Sequence, residues 1–290
     1  MIERKAIVLD IDGVIVGSKI GLNSPLPHPD VIAKIKEAQD RGIYVTLCTG
    51  RASFCTEHVA NSLGLDSFCV TDGGALFCNF HTHEYTEKHL LSKNDLNYIV
   101  NIMLENNIPI TLKNFANYNF LETQKCAGIT SLAKAVNTTP KYVSDFSDII
   151  NCGEVTNIVL ISHSMEERLK IENILSSMNL DNVSIGWTKN SIEPKYHYAV
   201  VSSNSATKSL GILKLFEIEG ISFDNALGVG DTAHDWQFMQ HCKYVSAMGN
   251  ATDELKELVE THGDYGYIGE SVNKNGIIGI LNRFMEESNA

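Results

Sequence analysis

Three short apolar runs in this chain each end in a carboxylate or hydroxyl: Ala6-Ile7-Val8-Leu9 before Asp10, Tyr44-Val45-Thr46-Leu47-Cys48 before Thr49, and Ala226-Leu227-Gly228-Val229-Gly230 before Asp231. A continuous apolar run of this length is the profile of a strand buried on both faces, which occurs in parallel sheets covered by helices. A helix is predicted after the first run: Pro29 opens it, Val31, Ile32, Ile35 and Ala38 recur at helical spacing, and Gly42 closes it. A second helical stretch ends near Gly64 before Phe68-Cys69-Val70-Thr71 and Asp72-Gly73-Gly74. Strand and helix alternate, so the fold class expected is α/β with a doubly wound parallel sheet.

From about residue 82 to 198 the rhythm changes. Strand-like segments (Ile108 to Phe120, Asn157 to Ser162, Val183 to Ile192) mix with helical ones (about 92–106 and 165–179), which predicts an inserted α+β domain. Beyond Lys208 a helix carrying Leu210, Leu213 and Phe216 leads back into the parallel core. The boundaries expected are therefore 1–81 and 199–290 for the core and 82–198 for the insertion.

In open α/β sheets ligands bind beyond the carboxyl ends of the strands, where Asp10, Thr49 and Asp231 all fall. Asp10 and Asp12 are two apart and lean the same way if the chain stays extended. Two carboxylates so close repel, a divalent cation relieves the repulsion, and Asp231 and Asp235 add the oxygens a hard ion such as Mg2+ prefers. An EF-hand fits poorly because Val-Ile-Val-Gly-Ser follows Gly13 without the further acids or the closing Glu. Attack by Asp10 on phosphorus needs negative charge screened, which a metal and Lys208 supply. Thr49 donates to a phosphoryl oxygen with backbone N–H groups near Gly50, and Asp12 serves as acid and then base. Taken singly, these residues also fit ordinary turns, helix caps and a solvated lysine.

In order along the chain, Asp10-Ile11-Asp12-Gly13-Val14, Thr49-Gly50-Arg51, Lys208 and Gly230-Asp231-Thr232-Ala233-His234-Asp235 resemble the four motifs of the haloacid dehalogenase superfamily of phosphohydrolases. The long insertion between the second and third motifs, with Met248-Gly249-Asn250-Ala251 and Asn275-Gly276-Ile277, is similar to the Cof-like subclass IIB. The resemblance implies a Rossmann-like core with a cap that sets substrate choice, and an aspartyl-phosphate intermediate on Asp10. It implies catalysis by Asp10, Asp12, Thr49 and Lys208, with substrate held by Thr49, Gly50, Arg51 and Lys208. Magnesium would be held by Asp10, the main-chain carbonyl of Asp12, Asp231 and, directly or at one remove, Asp235. Three positions depart from the family pattern: His234 and Gly73 each stand where Asn is usual, and Val-Ser-Ser-Asn-Ser-Ala-Thr precedes Lys208.

The expectation is a magnesium-dependent phosphatase acting on a small phosphorylated metabolite such as a sugar phosphate, with a phosphomutase or a phospho-ligand sensor as alternatives. In 290 residues acids exceed bases by 12, which argues against a nucleic-acid partner. No run reaches the roughly 18 apolar residues of a membrane span, and the first residues lead into a strand and not a signal peptide, so a cytoplasmic monomer or small homo-oligomer is expected. Seven cysteines without a Cys-x-x-Cys pair read as reduced core thiols. Trp187, Lys189, Glu193, Tyr196 and His197 are candidate substrate contacts, and His81-Thr82-His83 reads as a polar linker.

Overall fold

A computed structural model describes residues 4–136, 138–190 and 193–287 of the chain. It divides into two compact units: unit 1 holds Met1–Gly50, Thr56–Glu87 and Thr207–Ala290, and unit 2 holds Arg51–Cys55 and Lys88–Ala206.

Unit 1 begins with β1 (Ala6–Leu9), α1 (Pro29–Asp40) and β2 (Tyr44–Leu47). All eight strand residues are buried, which is why the runs lack polar alternation. Next come α2 (Ser53–Leu63), β3 (Cys69–Thr71), β4 (Leu76–Asn79) and β5 (Glu84–Lys88). β4 and β5, which carry no clear signal in the sequence, form a small sheet in the order β3-β4-β5.

Unit 2 continues with α3 (Lys93–Glu105), β6 (Ile110–Asn114), β7 (Tyr118–Leu121), α4 (Ala127–Ala135), β8 (Lys141–Val143), α5 (Ser147–Cys152), β9 (Val155–Ser162), α6 (Met165–Ser177), β10 (Val183–Lys189) and β11 (His197–Ser203). The end of the expected third strand-like segment, Ser191-Ile192, lies outside the described residues. Six strands form one sheet in the order β10-β11-β9-β6-β7-β8. One face buries Ile110, Leu112, Ile158, Leu160, Ala199 and Val201 under α3, α5 and α6. The other carries Tyr118, Phe120, Val159, Ile161 and Tyr198 against Ile129 and Leu132 of α4.

The chain re-enters unit 1 with α7 (Lys208–Glu219), β12 (Ala226–Gly230), α8 (Trp236–Met239), β13 (Tyr244–Ala247), α9 (Asp253–Glu260), β14 (Gly266–Ile268) and α10 (Ile277–Glu287). The five core strands are all parallel, in the order β14-β13-β12-β1-β2. β1 leads outward to β2 on one side, while β12, β13 and β14 step away on the other. The order therefore reverses between β1 and β12, the switch point where an open sheet leaves a crevice. Ala6 and Val8 face a core shared with α7, α8 and α9, and Ile7 and Leu9 alternate to the opposite face.

The helix expected beyond Lys208 is α7. Its buried face is Lys208, Gly211, Ile212, Leu215 and Phe216, whereas Leu210 and Leu213 are exposed. Thr207 caps the helix through its hydroxyl, accepting from the Leu210 N–H, and this start turns Lys208 inward. All seven cysteines are free thiols; Cys152 is exposed and so departs from the expected core placement.

Candidate active site

β1 ends at Leu9, and the Asp10 N–H still donates to the Val229 carbonyl at 3.1 Å, so Asp10 is fixed at the switch point as the last ladder partner. The chain then turns at once, with the N–H groups of Val14, Ile15 and Val16 all donating to the Ile11 carbonyl. Gly13 makes this turn with φ +75°, and a Cβ there would stand 1.8 Å from Asp231 Oδ2. The turn is braced by Asn250, which donates from Nδ2 to the Gly13 carbonyl at 2.9 Å and accepts from the Val272 N–H at 2.7 Å.

β12 delivers Asp231 beside Asp10. Asp235 follows one helical turn later, and its Oδ2 accepts from the N–H groups of Asp231 (3.0 Å) and Thr232 (2.9 Å) and from the Thr232 hydroxyl (3.1 Å). Its Oδ1 accepts from Lys208 Nζ at 2.6 Å, and the same ammonium donates to Asp10 Oδ1 at 2.7 Å. Lys208 thus clamps Asp10 to the acid that shapes the Asp231 turn. Asp10, Lys208 and Asp235 are 6%, 8% and 1% exposed.

Carboxylate oxygens of Asp10, Asp231 and Asp235 lie within 4.8 Å of one another. Burial pushes the Asp10 carboxyl up to about 7 against the pull of Lys208, with Asp235 and Asp12 adding repulsion. Burial likewise pushes Asp231 up to about 7, with Asp235 next in effect. Asp235 is also buried, yet the Lys208 ammonium and its hydrogen bonds hold it below the usual carboxylate range. Burial disfavours the Lys208 charge, but Asp10 and Asp235 outweigh it and keep the ammonium protonated. This excess of crowded anionic oxygen over cationic nitrogen fits a hard divalent ion with oxygen ligands.

Thr49 is 1% exposed at the end of β2. Its N–H donates to the Val70 carbonyl, and its own carbonyl accepts from the Gly73 N–H at 3.0 Å, so the Asp72–Gly74 turn supports it from behind. Gly74, at φ +109°, lies against the Thr207 backbone: a Cβ there would meet the Thr207 carbonyl oxygen at 2.2 Å. That contact seats the start of α7 and with it Lys208. Gly50 is exposed.

The structure therefore brings Asp10, Asp231, Asp235 and Lys208 into direct contact or near it. Asp12 is exposed and close enough to raise Asp10 and Asp231. Arg51 falls in unit 2 and is half-buried there. Sequence reasoning singled out Asn250 only as part of a family-like segment and missed Gly74, since each gives its support through backbone groups of residues far along the chain. His234 is exposed. Of the candidate contacts in unit 2, Trp187 packs beneath the Arg168 guanidinium at 4.7 Å, Tyr196 and His197 are buried, and Lys189 and Glu193 are exposed. His81 and His83 are exposed in the turn between β4 and β5, inside unit 1, and so do not form the expected linker into the insertion.

Comparison with known proteins follows this geometry. The family model for haloacid dehalogenase-like hydrolases matches residues 7–281. The 5-amino-6-(5-phospho-D-ribitylamino)uracil phosphatase YcsE of Bacillus subtilis is 24% identical over 271 residues, covering 89% of each chain. A haloacid dehalogenase-like hydrolase from Bacteroides thetaiotaomicron superposes with a TM-score of 0.80 at 19% identity, covering 97% of this chain and 99% of that one. The subclass IIB sugar phosphatase BT4131 gives 0.72 at 20% identity over 97% and 98%. At these identities the solved structures speak for the fold. Among the described residues no helix is long and apolar enough to cross a membrane.

Proposed function

The chain belongs to the haloacid dehalogenase-like hydrolases, and on that premise we propose that it is a magnesium-dependent phosphatase that hydrolyses a small phosphorylated metabolite, a sugar phosphate or similar monoester, through an aspartyl-phosphate on Asp10. The observation that carries this reading is the Lys208 ammonium bridging Asp10 and Asp235 beside Asp231 at the sheet's switch point. Phosphatases among the relatives support it.

Asp10 Oδ2, the oxygen not held by Lys208, attacks phosphorus while the P–O bond to the leaving alcohol breaks. The Asp12 carboxyl, exposed at the turn, gives that alcohol its proton and then takes one from the water that cleaves the acyl phosphate. Lys208 and the Thr49 hydroxyl offset negative charge on the phosphoryl oxygens, together with the Gly50 N–H. Asp10, the Asp12 carbonyl and Asp231 would hold Mg2+, which supplies charge neutralisation for attack by one anion on another. Both oxygens of Asp235 already have partners, so its part is to hold Lys208 and the Asp231 turn. Unit 2 is the cap in this reading.

The test is phosphate release from an aryl phosphate and a sugar-phosphate panel, with and without Mg2+, in native protein and Asp10→Ala. Release that needs both Mg2+ and Asp10 supports the reading. Release that survives Asp10→Ala refutes the covalent route.

A further inference from the structure

Lys208 is held through its ammonium, and a second bond holds the helix that carries it. Lys208 and Ser209 open α7 and stand about 100° apart around its axis. Both reach toward α8. Lys208 Nζ donates to Asp235, the residue before α8, at 2.6 Å, and Ser209 Oγ lies 2.8 Å from Nε2 of His241, just beyond the end of α8. The first turn of α7 is thus tied at two points to the two ends of one short helix.

The two ties act on different parts of α7. A lysine ends a flexible four-carbon stem, so its bonds do not by themselves fix the backbone that carries it. A serine hydroxyl sits one carbon from the backbone, so the bond to His241 fixes the turn itself. The demand on that turn is strict. Nζ must meet Asp10 and Asp235 at 2.7 and 2.6 Å at once, and a shift of about 1 Å takes one bond or the other out of hydrogen-bond range. The same turn lies against the Gly74 backbone through Thr207. Gly74 limits how closely α7 approaches, and the His241 bond stops it drawing away.

His241 is itself built in. Its ring meets Phe223 at 5.7 Å, Phe223 stacks on Phe216 farther along α7 at 4.5 Å, and the Lys243 N–H donates to the Phe223 carbonyl at 3.0 Å. The imidazole therefore spans from the first turn of α7 to an aromatic stack on its later turns. Phe238, three residues before His241, is fully buried with the Lys208 ammonium 5.6 Å from its ring centre. Burial holds the imidazole below the usual histidine range, so it is neutral near pH 7, and a neutral ring bonds a hydroxyl in either tautomer.

We propose that His241 is a positioning residue for phosphoryl transfer: through Ser209 it fixes the first turn of α7, and with it the place of the Lys208 ammonium between Asp10 and Asp235. This rests on the phosphatase reading and adds a residue that touches neither the substrate nor the acids.

The experiment measures kcat and KM for p-nitrophenyl phosphate with Mg2+, together with Tm, in native protein, His241→Phe, Ser209→Ala, the double variant and His241→Gln. His241→Phe keeps a ring against Phe223 and loses only the bond to Ser209. The expected result is a fall in kcat of about 10-fold or more, larger than any rise in KM, because misplacement of about 1 Å can cost about 100-fold. Ser209→Ala, which removes one half-buried atom from a helix, should lose as much, and the double variant no more than either. His241→Gln, whose amide can meet the hydroxyl, should recover most of kcat. Native kcat in both single variants overturns the proposal, as do losses that multiply in the double variant or a lowered Tm with kcat intact. If the native protein releases no phosphate, the phosphatase reading has failed, and positioning is read from urea unfolding of the metal-free protein. A smaller stability loss from Lys208→Met in a His241→Phe background than in the native one then sustains it, and equal losses reject it.

Discussion

Replacing Lys208 with Met keeps the length and apolar stem of the side chain and removes only the ammonium, so it isolates the clamp on which the site is built. In the native protein Nζ makes two short charge-assisted bonds, 2.7 Å to Asp10 and 2.6 Å to Asp235, with all three groups less than 10% exposed. Without it two buried carboxylates lose their cation. Breaking a buried ion pair from one side costs about 3–5 kcal/mol, a large share of the roughly 5–15 kcal/mol that holds a domain. The loss must depend on pH. Near pH 8 Asp10 and Asp231 are charged in the native protein, and the variant, without the cation that pulls Asp10 down, must either confine three unscreened anions or take up a proton that the native protein does not carry. Near pH 5 both are neutral, because burial has raised each to about 7, and the missing cation then faces Asp235 alone.

The assay is urea unfolding of the metal-free protein in a Trp187→Phe background, which leaves Trp236 as the reporter of unit 1. Trp236 adjoins Asp235 in sequence and its ring meets His262 edge-on at 5.6 Å, so its fluorescence follows unfolding of this region. Lys208→Met should lower stability by about 3–5 kcal/mol at pH 8 and by clearly less at pH 5. A loss below about 1 kcal/mol at pH 8, or one that does not shrink on acidification, would refute the claim that Lys208 supports the site by charge.

The remaining predictions concern the same neighbourhood. Asp10 and Asp231 titrate near 7 when folded and near 3.8 when unfolded, so the folded protein binds more protons in between; stability of the metal-free protein should fall as pH rises from about 4 to 7. Mg2+ should accordingly raise Tm more at pH 8 than at pH 5, and equal shifts would argue against these two acids as its ligands. Gly13→Ala forces a Cβ into Asp231 at a positive φ, and calorimetric titration should show Mg2+ affinity down about 10-fold or more, a loss like that of an outer partner of a metal site. Gly74→Ala drives a Cβ into the Thr207 backbone and should cost more than about 1 kcal/mol of stability, read by urea unfolding, while lowering kcat through a displaced Lys208. A stable Gly74→Ala with native kcat would show that the turn does not seat α7.

How far the sequence speaks depends on the range over which each feature is encoded. Parallel strands buried on both faces must be apolar along their whole length, so β1, β2 and β12 stand out locally, and the acid that follows each of β1 and β12 is placed at the switch point by connectivity alone. Helix α7 shows what local reading does not supply: capping by Thr207 and the demand of two carboxylates for Lys208 set its buried face and leave Leu210 and Leu213 exposed. Spacing also ranks Asp231 and Asp235 as equals. The structure separates them, because one turn of backbone aims two N–H groups and the Thr232 hydroxyl at Asp235 and leaves Asp231 beside Asp10. The alignment of Lys113, Asn157 and Ser202 across unit 2 lies beyond any local signal. These residues are more than 40 residues apart from one to the next and meet only because the apolar alternation of β6, β9 and β11 fixes their register. A one-residue slip in β9 would turn Asn157 into the apolar core under α3 and α6 and bring Ile158 to the other face. The pairing that buries Ile158 and Leu160 is therefore the same pairing that sets Asn157 opposite Lys113 on the other face of the sheet.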